Sequence, residues 1–508
     1  MTQSHTSRLD PEFIALPLDP ARSAALERAR ELGCSHAELR VERIRSQAVA
    51  LRDGRVETTA DDTEIGMGIR VVHDGVIGFA ATAEIHADAA AGLAEQATAL
   101  ARAVAEAATE RIELAEEPEV GSRDWVSEFE TDPTGVPLSE KVETLAAWSN
   151  QLLRSDIVDH VSAVVLCVSE DKYFCDMAGN VVRQRRVRLN PDVEAIAVDT
   201  VSGEFETMRT IAAPVGRGWE YMNGEGPWDP DAELAQMPEF LEEKVKAPTV
   251  DPGSYDLVVD PSNLWLTIHE SVGHATELDR ALGYEAAYAG TSFATFDKLG
   301  TLRYGSELMH IVGDRTRANG LATVGYDDEG VAAQEFDIVR DGVLVGYQLD
   351  RSMAAQNHLG RSNGCAFADS PMHIPIQRMA NVSLKPAPGA GPTLEDIISG
   401  TDRGIYIVGD KSWSIDMQRY NFQFTGQRFF LIDKGKIRGQ VKDVAYQSRT
   451  TDFWGSMDAI GGESTWVLGG AFNCGKGQPG QVAPVSHGCP VARFKQVNIL
   501  NTRAEAGR

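Results

Sequence analysis

The residues with the clearest potential for chemistry lie in one short segment. Residues 269–274 read His-Glu-Ser-Val-Gly-His and follow directly on an apolar run at residues 264–268. Two imidazoles and a carboxylate this close together are the ligands and the base of the zinc-peptidase pattern H-E-x-x-H, here with one residue more. The alternative interpretation is a partly buried helix whose imidazoles have ordinary hydrogen-bond partners.

The extra residue predicts a distorted helix. In a regular α-helix, residues i and i+4 lie about 40° apart around the axis, whereas residues i and i+5 lie about 140° apart. His269 and His274 would therefore not point at one metal ion. A π-bulge would restore their alignment, and Gly273 inside the segment would ease that distortion.

A catalytic zinc site needs a third protein ligand and an open position. Glu270 is suited to accept a proton from an attacking water. Cys474 lies in a glycine-rich segment, residues 472–477, which predicts a flexible loop. Imidazole and thiolate ligands favour zinc over magnesium or calcium. Residue types alone leave these candidates open for the third ligand: Cys474, Cys489, Glu277, Asp279, His310, His373 and His487.

Composition bounds the class of protein. The 508 residues predict two or three domains. A net charge of −27 argues against a nucleic-acid partner or an anionic membrane. The polar first residues and the lack of a long apolar run predict a cytoplasmic protein without a membrane span. Widely spaced cysteines without a C-x-x-C predict free thiols rather than a disulfide framework.

The first half predicts an α/β domain. Helices are expected at residues 18–33, 89–109, 138–154 and 231–245. Short strands are expected at 37–41 and 48–51, before turns at Asp53-Gly54 and residues 73–75, and further strands between 161 and 210. A loop rich in proline and glycine at 213–230 and a break at 247–253 place a domain boundary near residue 246.

The second half predicts a β-rich domain that carries the metal-binding helix. A strand at 255–259 precedes that helix, which should begin near Pro261. Strand pairs follow at 335–345 and 429–437 around the turns Asp341-Gly342 and Lys434-Gly435. The fold class is therefore α+β: an antiparallel sheet with covering helices over residues 1–245, and the β-rich domain over 246–508.

Several segments, in order along the chain, resemble the TldD/PmbA family of metallopeptidases. They are residues 64–70, 73–79, 269–277, 326–331 and 473–476. The resemblance implies zinc, one ion per chain, held by the two histidines of the pattern and a late cysteine. Carried onto this chain these are His269, His274 and Cys474, with Glu270 as the general base. Glu277 and Asp279 then become supporting or structural carboxylates.

The resemblance also implies partners and an activity. Chains of this kind typically pair with a sister chain that lacks the 269–274 pattern, so we expect a dimer with such a chain or with a second copy of this chain. The N-terminal domain is expected to help enclose the substrate. The implied substrates are unfolded or extended peptides, docked by strand addition with broad specificity. The chain departs from the family in a longer tail, residues 482–508 with His487 and Cys489, and in an aromatic-rich stretch at 409–428.

Our main hypothesis from the sequence is therefore a zinc-dependent peptidase. The rival hypotheses are a non-catalytic binding or modulator subunit and a metal-dependent hydrolase of a non-peptide amide.

Overall fold

The computed structural model of the chain describes residues 8–198, 205–477 and 479–505. Its helices are α1 Pro11–Ile14, α2 Leu18–Glu31, α3 Ala87–Val104, α4 Leu138–Leu152, α5 Pro230–Lys246, α6 Pro261–Ile268, α7 Leu278–Ala281, α8 Arg351–Gln356, α9 Leu394–Ser399, α10 Thr450–Gly455 and α11 Thr502–Glu505. Short 3₁₀ turns lie at Pro133–Gly135, Trp219–Asn223, His274–Thr276, Phe296–Lys298 and Glu463–Thr465.

The strands fall into the two halves of the chain. The first group is β1 His36–Arg52, β2 Arg55–His73, β3 Val76–Thr82, β4 Ser122–Val126, β5 His160–Asp176, β6 Val181–Val198 and β7 Phe205–Arg209. The second group is β8 Gly253–Val259, β9 Ile311–Asp314, β10 Glu335–Arg340, β11 Val343–Leu344, β12 Ala366–Phe367, β13 Ile376–Gln377, β14 Asn381–Leu384, β15 Arg403–Ile415, β16 Asn421–Asp433, β17 Lys436–Val441, β18 Val444–Arg449, β19 Met457–Ile460, β20 Val467–Lys476, β21 Gln481–Cys489 and β22 Ala492–Asn501.

The first group forms one seven-stranded sheet in the order β3-β2-β1-β5-β6-β4, with β7 paired to β6. The two short strands expected at 37–41 and 48–51 are parts of the single strand β1, because β1 pairs along its whole length with β2 and β5. The turns at Asp53-Gly54 and Asp74-Gly75 are confirmed, and all four residues have the positive φ that such tight hairpins require.

The two faces of this sheet differ in chemistry. Apolar side chains such as Leu39 and Val41 pack under α2 and α3 in one core, and α4 and α5 cover a second core near Trp148. The opposite face carries buried charged side chains. There Lys172 pairs with Glu42 at 2.6 Å and with Asp328, from the second half of the chain, at 2.5 Å. The two halves of the chain therefore meet through a buried ionic layer.

The second group is built around a larger sheet with the path β15-β8-β22-β18-β16-β17, and β19 pairs with β22. Because β15 also pairs with β16, five of these strands close into a ring. Helix α6 follows β8 directly and contacts β15, β20 and β21. The predicted strand at 255–259, the helix start at Pro261 and the two hairpins are confirmed.

Cys474 does not lie in a flexible loop, as its glycine-rich surroundings predicted, but in strand β20, which pairs with β21. A Cβ on Gly475, inside that segment, would meet nothing within 4 Å, but two glycines earlier in β20 allow close packing. A Cβ on Gly469 would lie 2.5 Å from the Trp265 ring, and one on Gly470 would lie 2.5 Å from the Val485 carbonyl oxygen. His487 and Cys489, in the longer tail, belong to β21 in the same hairpin.

The α+β fold class is confirmed: an antiparallel sheet with covering helices is followed by a β-rich part that carries the helix of the 269–274 pattern. The second half also contains the short helices α7 to α10, of four to six residues, which are too short for hydrophobic periodicity to reveal. The domain boundary near residue 246 stays a prediction. Among the described residues, no helix is long and apolar enough to cross a membrane.

Candidate metal centre

The predicted π-bulge is present. Asp260 caps α6 by accepting from the Ser262 N–H, and α6 continues into a π-turn at His269–Gly273. The His274 N–H donates to the His269 carbonyl, five residues back. The imidazole centroids of His269 and His274 are consequently only 4.7 Å apart. A Cβ on Gly273 would lie 2.6 Å from the Met379 sulfur, so glycine also allows this turn to pack closely.

His269, His274 and Cys474 form a buried cluster. One potential ligand atom from each lies within 4.8 Å of the other two, and Cys474 Sγ is 3.6 Å from His274 Nε2. It is the one group of three or more such residues found in the described part of the chain. Two imidazoles and a thiol supply three ligands of a four-coordinate zinc ion and leave the fourth position for solvent or substrate. The donor set therefore fits zinc.

His487 fixes the orientation of His269. The His487 Nδ1–H donates to the Val382 carbonyl oxygen at 2.8 Å, which leaves its Nε2 as an acceptor. His269 Nδ1 donates to that Nε2 at 2.7 Å, so the lone pair of His269 remains on Nε2. Burial lowers the pKa of His269 and holds the pKa of His487 well below its ordinary value. Both rings are thus neutral, as a metal ligand must be.

Glu277 orients His274 in the same way. The His274 Nδ1 lies 2.8 Å from Glu277 Oε2, so Nε2 is again the free nitrogen. Burial alone would raise the pKa of Glu277, but Lys476, at 3.1 Å, and His274 outweigh it and hold that pKa well below the usual range. A permanently ionised carboxylate behind a ligand histidine raises the basicity of the ring.

The surroundings of Cys474 favour the thiolate. Burial opposes ionisation, yet the interaction of the sulfur with His274 and the positive charge of Arg378 outweigh it and lower the pKa of the Cys474 thiol. Arg378 is itself buried and donates from Nη2 to the Cys474 carbonyl oxygen. A thiolate is the form of cysteine that binds metal ions.

Glu270 is buried beside the cluster and held by Arg419. Arg419 Nη1 donates to Glu270 Oε2 at 2.6 Å. Burial would raise the pKa of Glu270, but His269, His274 and Arg419 outweigh it and lower that pKa. Glu270 is therefore a carboxylate that can accept a proton.

The turn that carries Arg419 joins β15 to β16 and is rigidly built. Arg419 has a φ of 62°, which is uncommon for a residue with a side chain. Asp416 accepts from the backbone N–H groups of Gln418 and Tyr420, and Thr450 donates to the Arg419 carbonyl oxygen. A hydrogen-bonded turn that holds Arg419 in an uncommon backbone conformation, with its guanidinium on Glu270, indicates a positional requirement for Arg419.

The other candidates for a third ligand have different contacts. Asp279 pairs with Lys476 at 2.9 Å, and Cys489 donates to the Pro261 carbonyl oxygen at 3.7 Å. Burial holds the pKa of the Cys489 thiol well above its ordinary value. His310 and His373 pair with Asp337 and Asp369. The supporting roles of His487 and Arg419 were not predicted, because no sequence spacing connects them to residues 269–274.

A large groove runs beside the cluster. Its volume is about 780 Å³, and its walls include Trp228, Trp265 and Trp413. The ring centroids of Trp265 and His269 are 6.3 Å apart, so one wall of the groove adjoins the cluster, although none of the three cluster residues lines it. Residues 467–473 of β20 line the groove, and β20 pairs only with β21 among the described strands. The other edge of β20 therefore pairs with no described strand, and Cys474 is the next residue after the segment that lines the groove.

Comparison with known proteins agrees with these features. The family model described as PmbA/TldA metallopeptidase C-terminal domain matches residues 252–501, and the one described as PmbA/TldA metallopeptidase domain 1 matches residues 37–106. A metalloprotease of Methanothermobacter thermautotrophicus is 27% identical over 476 residues, which cover 92% of this chain and 96% of that protein. The zinc metalloprotease TldD homolog of Saccharolobus solfataricus is 22% identical and covers 93% of this chain and 98% of its own length.

The fold is also that of a solved structure. TldE from Thermococcus kodakarensis superimposes with a TM-score of 0.70 at 15% identity, over 94% of this chain and 99% of that one. At that identity the likeness shows the fold alone. The matched family models, together with the relatives that cover nearly the whole chain, establish that this chain belongs to the TldD/PmbA family of metallopeptidases.

Proposed function

We propose that this chain is a zinc-dependent peptidase that hydrolyses extended or unfolded peptides. The observation that carries the proposal is the buried cluster of His269, His274 and Cys474 next to an ionised Glu270. Membership of a metallopeptidase family supports the same reaction class.

His269 Nε2, His274 Nε2 and Cys474 Sγ would hold the zinc ion, one per chain. Bound zinc would supply Lewis-acid polarisation of the scissile carbonyl and lower the pKa of a coordinated water to about 7. His487 and Glu277 hold the two imidazoles in the tautomer that leaves Nε2 free for the metal.

Glu270 is the proposed general base. It accepts the proton of the attacking water and returns it to the leaving amine. Arg419 is the proposed positioning residue, since its bond to Oε2 restricts the carboxylate and leaves Oε1 for the proton transfer. Both proton transfers by Glu270 depend on the geometry that the π-turn and the β15–β16 turn give to Glu270 and Arg419.

The groove suggests how a peptide would reach the site. A peptide that lies along the free edge of β20 would form backbone hydrogen bonds of the ladder type and run towards Cys474. Backbone recognition accounts for broad sequence tolerance. We propose that the chain forms a dimer, either with a family chain that lacks the 269–274 pattern or with a second copy of itself. Residues 1–245 would help to enclose the substrate. The proposed location is the cytoplasm.

The test is hydrolysis of unstructured peptides by wild-type protein and by Glu270→Gln. We expect Glu270→Gln to retain its zinc and to lose roughly 10²- to 10⁴-fold in turnover, the usual contribution of a general base. Glu307→Gln, at a side chain that is 86% exposed, is the matched control and should cleave like the wild type.

Cleavage by Glu270→Gln at the wild-type rate would contradict the role of Glu270. A wild type that binds peptides and cleaves none would favour the non-catalytic binding subunit. A wild type that cleaves only non-peptide amides would favour the third hypothesis.

A further inference from the structure

A second buried polar site lies where the two halves of the chain meet. It is a cavity of about 10 Å³, enough for one water-sized species. Its walls come from β6 and from the second half of the chain. The only polar side chains among them are those of Arg186, Arg315 and Arg378, which are 4%, 2% and 1% exposed.

Two of these guanidinium groups lack a carboxylate partner. No hydrogen bond joins the Arg315 side chain to any described residue, and its Nε is buried without a partner. Arg378 uses Nη2 on the Cys474 carbonyl oxygen and leaves Nε and Nη1 buried and unpaired. Leaving a buried charge unpaired costs several kcal/mol in general, so a partner is expected.

The nearby carboxylates already have partners. Glu170 accepts from Arg186 at 2.9 and 3.0 Å and also from Arg188. Asp328 accepts from Lys172 and from the Ala368 N–H. These groups cannot neutralise Arg315 and Arg378 without giving up their own bonds.

Asp327, the remaining acidic neighbour, is bound by backbone donors. Its two oxygens accept from the N–H groups of Glu329, Val331 and Ala366. The side chains around the cavity therefore present donors and positive charge, and no acceptor that a water molecule could donate to.

We propose that the cavity binds one monovalent, monatomic anion, chloride in the cell. A chloride ion accepts several N–H bonds and supplies the negative charge that Arg315 and Arg378 lack. Space for about one water-sized species favours a single-atom anion over phosphate, sulfate or a carboxylate. The ion joins β6 of the first half to Arg315 and Arg378 of the second, and through Arg378 it adjoins the strand that carries Cys474.

The direct test is a crystal of the full chain grown in bromide in place of chloride. Bromide is an anomalous scatterer of similar size, and an anomalous peak is expected in the cavity, within hydrogen-bonding reach of Arg315 and Arg378. Absence of a peak, with a water molecule there instead, would overturn the proposal. This result does not depend on any variant or on zinc.

The solution test is thermal unfolding at increasing chloride concentration. Ionic strength is kept constant with methanesulfonate, an anion too large for the cavity. The midpoint of wild-type unfolding should rise by about 2.5 °C at a hundredfold excess over the dissociation constant. Arg315→Met should fold and show a much weaker chloride dependence, because it removes one of the two unpaired charges that the anion neutralises.

Arg303→Met is the matched control, since that side chain is 53% exposed, and it should keep the wild-type response. A chloride response in Arg315→Met as large as that of the wild type would contradict the site.

Discussion

The metal cluster and the arginine cavity are two buried polar sites of opposite character. The cluster brings the lone pairs of two imidazoles and a sulfur close together. The other ring nitrogens, Nδ1 of His269 and Nδ1 of His274, are bonded to His487 and Glu277. The cavity directs N–H donors inward and offers no side-chain acceptor. The first site calls for a cation and the second for an anion.

Arg378 belongs to both sites, through its bond to the Cys474 carbonyl and through the cavity wall. The ligand of a buried site can therefore be inferred from the hydrogen-bond donors and acceptors that the surrounding protein leaves unpaired. Each of the following substitutions alters either the surroundings of the cavity or those of the metal cluster.

The largest expected effect on folding comes from the ionic layer around the cavity. Asp328→Asn removes the charge that faces Lys172 and Arg40 in a buried setting. We expect a loss of about 3 kcal/mol in the free energy of unfolding, measured by denaturant titration. Asp124→Asn, in a pair whose members are 35% and 49% exposed, should cost less than about 1 kcal/mol. Equal losses in both would contradict a special role for burial.

The next effect concerns zinc affinity. His487→Phe keeps the ring shape but removes the acceptor for His269 Nδ1, so His269 loses the bond that fixes its tautomer. We expect zinc affinity to fall by about 10- to 100-fold, measured by competition with a chromogenic chelator. His310→Phe, at a partly exposed histidine paired with Asp337, is the control. Unchanged affinity in His487→Phe would exclude this support.

A smaller effect is expected at Arg419. Arg419→Gln leaves Glu270 without its guanidinium partner, so the carboxylate samples more orientations. We expect kcat to fall roughly 10-fold, with KM and zinc content little changed, and guanidinium ion added in solution to restore part of the rate. A rise in KM with unchanged kcat would instead make Arg419 a substrate-binding residue.

Much of this fold follows from sequence periodicity and turn residues. Residues 18–33, 138–154 and 231–245 form α2, α4 and α5, and the Asp-Gly pairs mark the hairpins of the first sheet. The i+5 spacing of His269 and His274 was enough to predict the π-turn. These features are local, so their causes lie within a few residues.

The features that the sequence did not reveal depend on tertiary packing. The glycines at 475 and 477 predicted a loop at Cys474, yet β20 continues through Cys474 because it pairs there with β21. His487 was considered as a ligand, whereas its Val382 bond and its ring contact with His269 give it a supporting role. Arg315 carries no motif at all, and only the lack of a carboxylate bonded to its buried guanidinium draws attention to it. The proposal that Cys474 is the third ligand came from family resemblance, not from spacing.

The most direct test of the metal centre is X-ray absorption at the zinc edge, on protein purified without chelator. We predict about one zinc per chain, with two imidazole nitrogens at about 2.0 Å and one sulfur at about 2.3 Å. Cys474→Ser should lose the sulfur contribution and most of the zinc. A coordination shell without sulfur in the wild type, or an unchanged spectrum in Cys474→Ser, would contradict the assignment of His269, His274 and Cys474.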